Sequence, residues 1–137
     1  MEPITIEALI KAPVEKVWEY LNKPEHITHW AFASDDWQAP SAENDLTVGG
    51  KLKVRMEAKD GSSGFDMVGV YTAVEQNKLI EYKMGDRNVK IEFMPVAEGT
   101  KVTQTFDPEN ENPREMQKAG WQAILDNFKK YVESSRD

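Results

Sequence analysis

Apolar and polar positions alternate along much of the chain, a pattern typical of strands with one buried face. The alternation starts with Ile4, Ile6, Ala8 and Ile10 and returns without ambiguity over residues 51–59. Four further alternating segments are predicted as strands at residues 65–74, 79–84, 89–95 and 101–106. Because the connections between the last five strands are short, we expect an antiparallel meander.

Apolar residues recur at helical spacing in three places. A first short helix is predicted after Pro13 and a second at residues 24–30. From about Asn112 to the end, the spacing predicts one long amphipathic helix. Its apolar stripe consists of Met116, Trp121, Ile124, Leu125, Phe128 and Val132. Residues 31–50 follow neither period, and we expect them to form a long loop that gates access to the interior.

The order of these elements predicts an α+β fold in a single domain over residues 1–137. A sheet with one apolar face needs a cover, and the last helix supplies an apolar stripe. We therefore expect a six-stranded antiparallel sheet with the long helix across it. The inward positions predicted to form the core are Leu52, Val54, Met56, Ile80, Tyr82, Met84, Val89, Ile91, Phe93, Val102 and Phe106.

Composition narrows the chemistry that is open to this chain. It has 137 residues, no cysteine and a net charge of −7. The absence of cysteine excludes thiol nucleophiles, zinc ribbons and iron–sulfur clusters. An acidic chain without a basic cluster is a poor partner for nucleic acid, and no segment has the pattern of a signal peptide or a membrane span. We expect a cytoplasmic monomer with neither nucleic acid nor membrane as a partner.

Sequence motifs for catalysis or metal binding are weak. The only histidines, His26 and His29, are three residues apart on a predicted short helix, but no third metal ligand has a matching spacing. Ser34 and Asp36 near His29 have the residue types of a catalytic triad without the strand-turn-helix context that positions a nucleophile. We expect no metal and no cofactor, and an enzymatic role stays open.

Methionine and aromatic side chains carry more information, since thioethers and rings adapt to irregular apolar ligands. Ordinary core packing explains the same pattern equally well without a ligand. Gln104 falls on the inward side of its strand, so its amide needs a partner: Tyr71, Tyr82, a water molecule or a ligand. Gly120 inside the long helix costs about 1 kcal/mol relative to alanine, which indicates that another group approaches the backbone there.

The combined order of motifs resembles one family. The segments that carry the resemblance are Ala12-Pro13-Val14-Glu15-Lys16-Val17-Trp18, Trp30 with Phe32, Asp45-Leu46-Thr47-Val48-Gly49-Gly50, and Gly120-Trp121 followed by Ile124, Leu125 and Phe128. Over essentially its whole length, the chain is similar to bacterial homologues of the C-terminal domain of the activator of the heat-shock-protein-90 ATPase. That family belongs to the START-like, polyketide-cyclase-like (SRPBCC) helix-grip superfamily. The resemblance implies a β-α-α-β-β-β-β-β-α order, a curved sheet around the last helix, and a cavity that in many members holds a lipid, sterol, polyketide or flavonoid.

On this basis the leading hypothesis is non-enzymatic binding of a small hydrophobic or amphipathic ligand. The residues expected to contact the ligand are Trp30, Phe32, Met56, Met67, Tyr71, Tyr82, Met84, Phe93, Gln104, Phe106, Met116 and Trp121. One alternative is a co-chaperone or stress-response protein that acts through its surface. The eukaryotic co-chaperones carry an additional N-terminal domain that this sequence lacks, which weakens the expectation of a chaperone partner. The other alternative is a polyketide-cyclase-like enzyme, which the scarcity of inward carboxylates disfavours.

Overall fold

The computed structural model describes residues 2–135. Over that range the chain forms seven strands and three helices. Their order is β1 (Ile4–Ile10), α1 (Val14–Asn22), α2 (Pro24–Ile27), β2 (Trp37–Asn44), β3 (Lys51–Ala58), β4 (Gly64–Glu75), β5 (Leu79–Met84), β6 (Arg87–Val96), β7 (Gly99–Phe106) and α3 (Arg114–Ser134). None of the helices in this range is long and apolar enough to cross a membrane.

The seven strands form one antiparallel sheet with the order β1-β7-β6-β5-β4-β3-β2. Strands β2 to β7 pair with their neighbours in sequence, and β1 completes the sheet by pairing with β7. On the inner face, Gln104 of β7 lies opposite Ile6 of β1 and Ile91 of β6. The sheet curves around α3, which confirms the predicted α+β helix-grip fold and its meander.

The expectation of a loop over residues 31–50 is wrong, because residues 37–44 form β2 and raise the number of strands from six to seven. β2 is an edge strand whose register against β3 shifts between Gln38 and Ser41. Pro40 lies at this irregularity, where a residue without an N–H is tolerated. The segment contains no β-branched residue and no clean alternation, so its sequence carries little signal for a strand.

The main core lies between the inner face of the sheet and α3. Its most deeply buried residues include Ile10, Val17, Tyr20, Ile80, Val89, Val102, Phe106, Leu125, Phe128 and Val132. A smaller cluster beside α2, β2 and β3 consists of Ile27, Ala31, Ala39 and Val54. Among the inward positions predicted from the sequence, Leu52, Met56 and Met84 are only partly buried, since they border a cavity.

Gly120 lies inside α3 with open space beside it. A Cβ placed on Gly120 would meet no atom within 4 Å outside its own stretch of helix. The expected close approach to the backbone at this position is therefore wrong. The neighbouring Trp121 stacks on Phe106 instead, with ring centroids 4.0 Å apart and an interplanar angle of 9°.

Trp30, just after α2, is fixed by three neighbours at the edge of the interior. Its indole Nε1 donates to the carbonyl oxygen of Tyr20 at 3.0 Å, and its own carbonyl oxygen accepts from Asn127 Nδ2 at 3.0 Å. Its ring meets Phe128 edge-on, with centroids 4.9 Å apart. These contacts tie the short helices to α3 and give the interior a defined wall.

Candidate ligand-binding site

A cavity of about 380 Å³ lies between the inner face of the sheet and α3. Its apolar lining consists of Leu21, Ile27, Trp30, Ala31, Leu52, Val54, Met56, Phe65, Met67, Met84, Ile91, Trp121 and Ile124. Small-molecule sites in proteins typically measure about 300–1,000 Å³ and combine apolar walls with a few oriented polar groups. The size and the lining of this cavity are those of such a site.

The polar residues that line the cavity come from two stretches of the chain. Three of them lie on adjacent strands: Tyr82 on β5, Arg87 on β6 and Gln104 on β7. Side chains alternate between the two faces of a strand, and each of these residues occupies an inward position of its own strand. Glu109 and Asn112 follow from the connection between β7 and α3, and Gln117 from the first turns of α3. Strands β3 and β4 contribute apolar residues only.

The Tyr82 ring lies directly against the backbone of β4. A Cβ on Gly69 would lie 2.6 Å from Tyr82 Cδ2, so a larger residue at position 69 would displace the ring. The tyrosine is buried, yet its hydroxyl makes no hydrogen bond with any residue of the range 2–135. Burial raises the pKa of Tyr82 far above its usual value. The hydroxyl therefore stays protonated and is available as a hydrogen-bond donor.

Gln104 is half-buried at the cavity wall, as its strand position predicts. Neither of the tyrosines expected as its partner bonds to it. The Tyr71 hydroxyl donates instead to Asn44 Oδ1 at 2.6 Å, and no residue within 2–135 forms a hydrogen bond with the Gln104 side chain. Gln104 and Tyr82 thus present polar atoms toward the cavity that are free to bind an occupant.

Gln117 holds the rim of the cavity in place, and its side chain is not available to bind a ligand. Its Oε1 accepts from the backbone N–H of Glu109 at 2.9 Å. Its Nε2 donates to the carbonyl oxygens of Glu109 at 3.0 Å and Asn112 at 2.8 Å. This buried side chain folds the segment before α3 onto the helix, and these bonds occupy its amide.

Glu109 carries the negative charge at the same rim. Its carboxylate accepts the backbone N–H groups of Glu111 at 3.0 Å and Asn112 at 2.8 Å. Desolvation opposes ionisation, but these hydrogen bonds and the positive charge of Arg87 outweigh it and lower the pKa of Glu109. The carboxylate is therefore ionised at neutral pH.

Sequence reasoning missed Arg87, Glu109, Asn112 and Gln117 as cavity residues. Arg87 could have been predicted from the sequence. It lies four positions before the inward Ile91 on the same strand, and residues an even number of positions apart share a face. Gln117 could also have been predicted, because it precedes Trp121 by one turn of α3 and so lies on the same helix face. Glu109 and Asn112 lie in an irregular connection, where neither period places side chains. Only the folded chain brings this connection to the cavity.

Seven of the twelve residues predicted to contact a ligand line the cavity: Trp30, Met56, Met67, Tyr82, Met84, Gln104 and Trp121. The five that do not are Phe32, Tyr71, Phe93, Phe106 and Met116. Phe93 and Phe106 are buried in the main core, and Trp121 stands between the Phe106 ring and the space. Met116 is 61% exposed, because its position on α3 faces away from the sheet.

The two histidines belong to an aromatic cluster away from the cavity. His26 stacks on Tyr20 with centroids 3.9 Å apart, and its Nδ1 lies 2.6 Å from the Tyr131 hydroxyl. His29 stacks on Tyr131 at 5.3 Å. Within residues 2–135, no group of three or more histidine or acidic side chains is arranged to hold a metal ion. Both imidazoles thus pack between the short helices and the end of α3.

Comparison with known proteins assigns the family. The family model described as "Activator of Hsp90 ATPase homolog 1-like protein" matches residues 11–133. The chain belongs to this AHSA1-like family. Every residue that lines the cavity falls within the matched range. A comparison with curated proteins found no match.

Solved structures agree with the AHSA1-like assignment. An AHSA1-like protein from Aeromonas hydrophila is 45% identical, with a TM-score of 0.91 over 96% of this chain and 92% of that chain. A protein from Cytophaga hutchinsonii is 48% identical, with a TM-score of 0.82 over 98% of this chain and 97% of that chain. A protein from Chromobacterium violaceum is 22% identical and shows the shared fold alone, with a TM-score of 0.87 over 98% and 100% of the two chains. The family resemblance and the fold predicted from the sequence are confirmed.

Proposed function

We propose that this AHSA1-like protein binds a small hydrophobic or amphipathic ligand in the cavity between the sheet and α3. The observation that carries the proposal is the mainly apolar space of about 380 Å³ inside a domain of 137 residues. Protein interiors are close-packed and contain few spaces larger than a water molecule. Apolar walls that contact water gain free energy when an apolar occupant covers them.

The walls of the cavity suit an occupant of irregular shape. Met56, Met67 and Met84 contribute flexible thioether side chains, which adapt to ligands more readily than branched ones. Trp30 and Trp121 contribute broad aromatic surfaces from the α2 side and from α3. This lining supports recognition of an apolar body by shape and contact area.

The ionisable groups at the cavity favour binding over proton-transfer catalysis. A general base needs a free lone pair within reach of the substrate and a pKa close to the working pH. Tyr82 stays protonated because burial raises its pKa. Glu109 has a lowered pKa, and its carboxylate already accepts two backbone N–H groups. We therefore place the binding function ahead of a cyclase-like activity.

Filling the cavity tests this function. Ile124 lines the cavity from α3, so the variant Ile124→Trp occupies part of the space with an indole ring. We expect decanol, a neutral amphipathic probe, to bind the wild-type protein saturably in titration calorimetry. We expect at least about tenfold weaker binding to Ile124→Trp, since a contact loss of about 1.4 kcal/mol is tenfold in affinity.

Met116→Trp is the matched control for this experiment. It introduces the same ring on the same helix, at a position that is 61% exposed and does not line the cavity. We expect Met116→Trp to bind decanol as the wild type does, with thermal unfolding showing that both variants are folded. Failure of the wild type to bind decanol, or equal binding by Ile124→Trp, would contradict the proposed site.

A further inference from the structure

We propose that the ligand is an amphipathic monocarboxylate, and that Arg87 binds its carboxylate with Tyr82 as a neutral hydrogen-bonding partner. This inference rests on the ligand-binding function proposed above and specifies the chemical class of the ligand. It is carried by the position and the pairing of Arg87, by the Tyr82 hydroxyl beside it, and by the apolar lining that β3 and β4 contribute to the cavity.

The position of Arg87 in β6 places its side chain on the inner face of the sheet. It is the first residue of β6 and pairs with Met84 across the two-residue turn Gly85-Asp86. Its Nε donates to the carbonyl oxygen of Asp107 at 3.1 Å, which fixes the guanidinium at the cavity wall. Arg87 is the one basic side chain among the residues described as lining this cavity.

The guanidinium of Arg87 is not neutralised by an ion pair. Within residues 2–135, no carboxylate oxygen lies within 4.0 Å of its nitrogens, and its only side-chain hydrogen bond is the one from Nε. Arg55 on the outside of the sheet shows the contrast, with Glu57 at 3.1 Å and Asp66 at 3.6 Å. The terminal nitrogens of Arg87 are therefore available, and a guanidinium binds a carboxylate through two parallel N–H bonds.

One neutral side chain shares the surroundings of Arg87. Tyr82 of β5 pairs with Val89, two residues from Arg87 on the same face of β6, and both Tyr82 and Arg87 line the cavity. Gln104 of β7 pairs with Ile91, four residues along β6 from Arg87, and so lines another part of the cavity. The Tyr82 hydroxyl has no hydrogen-bond partner within residues 2–135, so a carboxylate oxygen bound to Arg87 can also accept from it.

The charges at this end of the cavity favour a monoanion over a phosphate. Glu109 is ionised at the same rim, and the acidic residues Asp86 and Asp107 line a groove beside Arg87. A second negative charge on the ligand would add repulsion without a second cation to bind it. Strands β3 and β4 line the cavity with Met56, Phe65 and Met67 and offer only apolar surface there. A ligand with a single carboxylate and an apolar tail matches Arg87 and this apolar lining.

Decanoate and decanol form the probe pair, since they differ only in the head group. We expect the wild-type protein to bind decanoate at least about tenfold more tightly than decanol at pH 7.5 and 0.15 M salt, where long-range repulsion by the net charge of −7 is screened. The variant Arg87→Met is expected to weaken decanoate binding by about 10- to 100-fold and decanol binding by much less, because a neutral hydroxyl forms no ion pair with a guanidinium. Titration calorimetry measures all four affinities.

Lys83→Met is the matched control, because it removes the same charge from an exposed position on the neighbouring strand. It is expected to bind both probes as the wild type does. If the wild type binds both probes equally, or if Arg87→Met binds decanoate as tightly as Lys83→Met, the carboxylate assignment is overturned while the ligand-binding function stands. If neither probe binds, both proposals fail. The wild-type comparison decides the question even if Arg87→Met does not fold.

Discussion

Gly120 gives the most direct test of packing at a single residue. It lies within α3, and a Cβ at this position would meet no atom within 4 Å outside its own stretch of helix. Alanine is favoured over glycine in a helix interior by about 0.5–1 kcal/mol, chiefly through backbone entropy. We expect Gly120→Ala to raise the free energy of unfolding by this amount, measured by urea denaturation.

Gly50→Ala is the comparison variant, because an added Cβ has no space at this position. A Cβ at Gly50 would collide with the carbonyl oxygen of Asp45, so this variant is expected to lose stability. A loss of stability in Gly120→Ala would show that the space beside α3 is filled in solution.

At the residue scale, the sequence predicted correctly which face of a strand a side chain occupies. It predicted less well which of the inward side chains line the cavity. Gln104 was placed correctly by alternation, and the same rule applied to Arg87 would have found it. Phe93 and Phe106 also lie on the inner face, but they are covered by the core. Alternation assigns a face, whereas the boundary between filled core and open space depends on how the sheet curves over α3.

At the scale of elements, the strands with clear alternation were predicted and β2 was not. Its residues, including Pro40, have low strand propensity, and its position at the sheet edge is stabilised by pairing with β3. Pairing of this kind is a tertiary interaction that a single sequence does not reveal. The predicted gating loop is thus reduced to the residues on either side of β2, and the cavity wall beside it is more regular than expected.

The end of α3 is tied to the start of the chain through Glu133. Its Oε2 accepts from the backbone N–H of Lys11 at 2.9 Å and from Lys129 Nζ at 2.8 Å. Desolvation opposes ionisation, but these hydrogen bonds and the nearby positive charges outweigh it and lower the pKa of Glu133. A carboxyl with a lowered pKa stabilises the fold above its unfolded pKa, and this contribution is lost as the pH falls through the folded value.

We therefore expect Glu133→Gln to be less stable than the wild type at pH 7, by up to about 1 kcal/mol for this partly exposed pair. The difference should shrink as the pH falls below the ordinary pKa of a glutamate, because the wild-type carboxylate then becomes protonated. Urea denaturation at pH 7 and at pH 3.5 measures both values. Glu98→Gln, in an exposed turn, is the control and should match the wild type at each pH. A stability difference that does not depend on pH would rule out the carboxylate as its cause.

At the scale of the whole molecule, the family and the fold could be predicted because many weak signals agree. Alternating strands, a long amphipathic helix and the order of motifs point to the same AHSA1-like architecture, and the comparison with solved structures supports it. The cavity itself was implied only by the resemblance to the family. Its polar end depends on the connection from Glu109 to Asn112, whose conformation follows from hydrogen bonds to Gln117.

The central claim is that the interior space binds a ligand, and methyl NMR of the methionines tests it most directly. Met56, Met67 and Met84 line the cavity, whereas Met94 and Met116 are 59% and 61% exposed and lie outside it. In a titration with decanol, we predict saturable shifts of the three cavity methyl signals and none at the two exposed ones. Absence of saturable shifts at the cavity methionines, or equal shifts at Met94 and Met116, would contradict the claim.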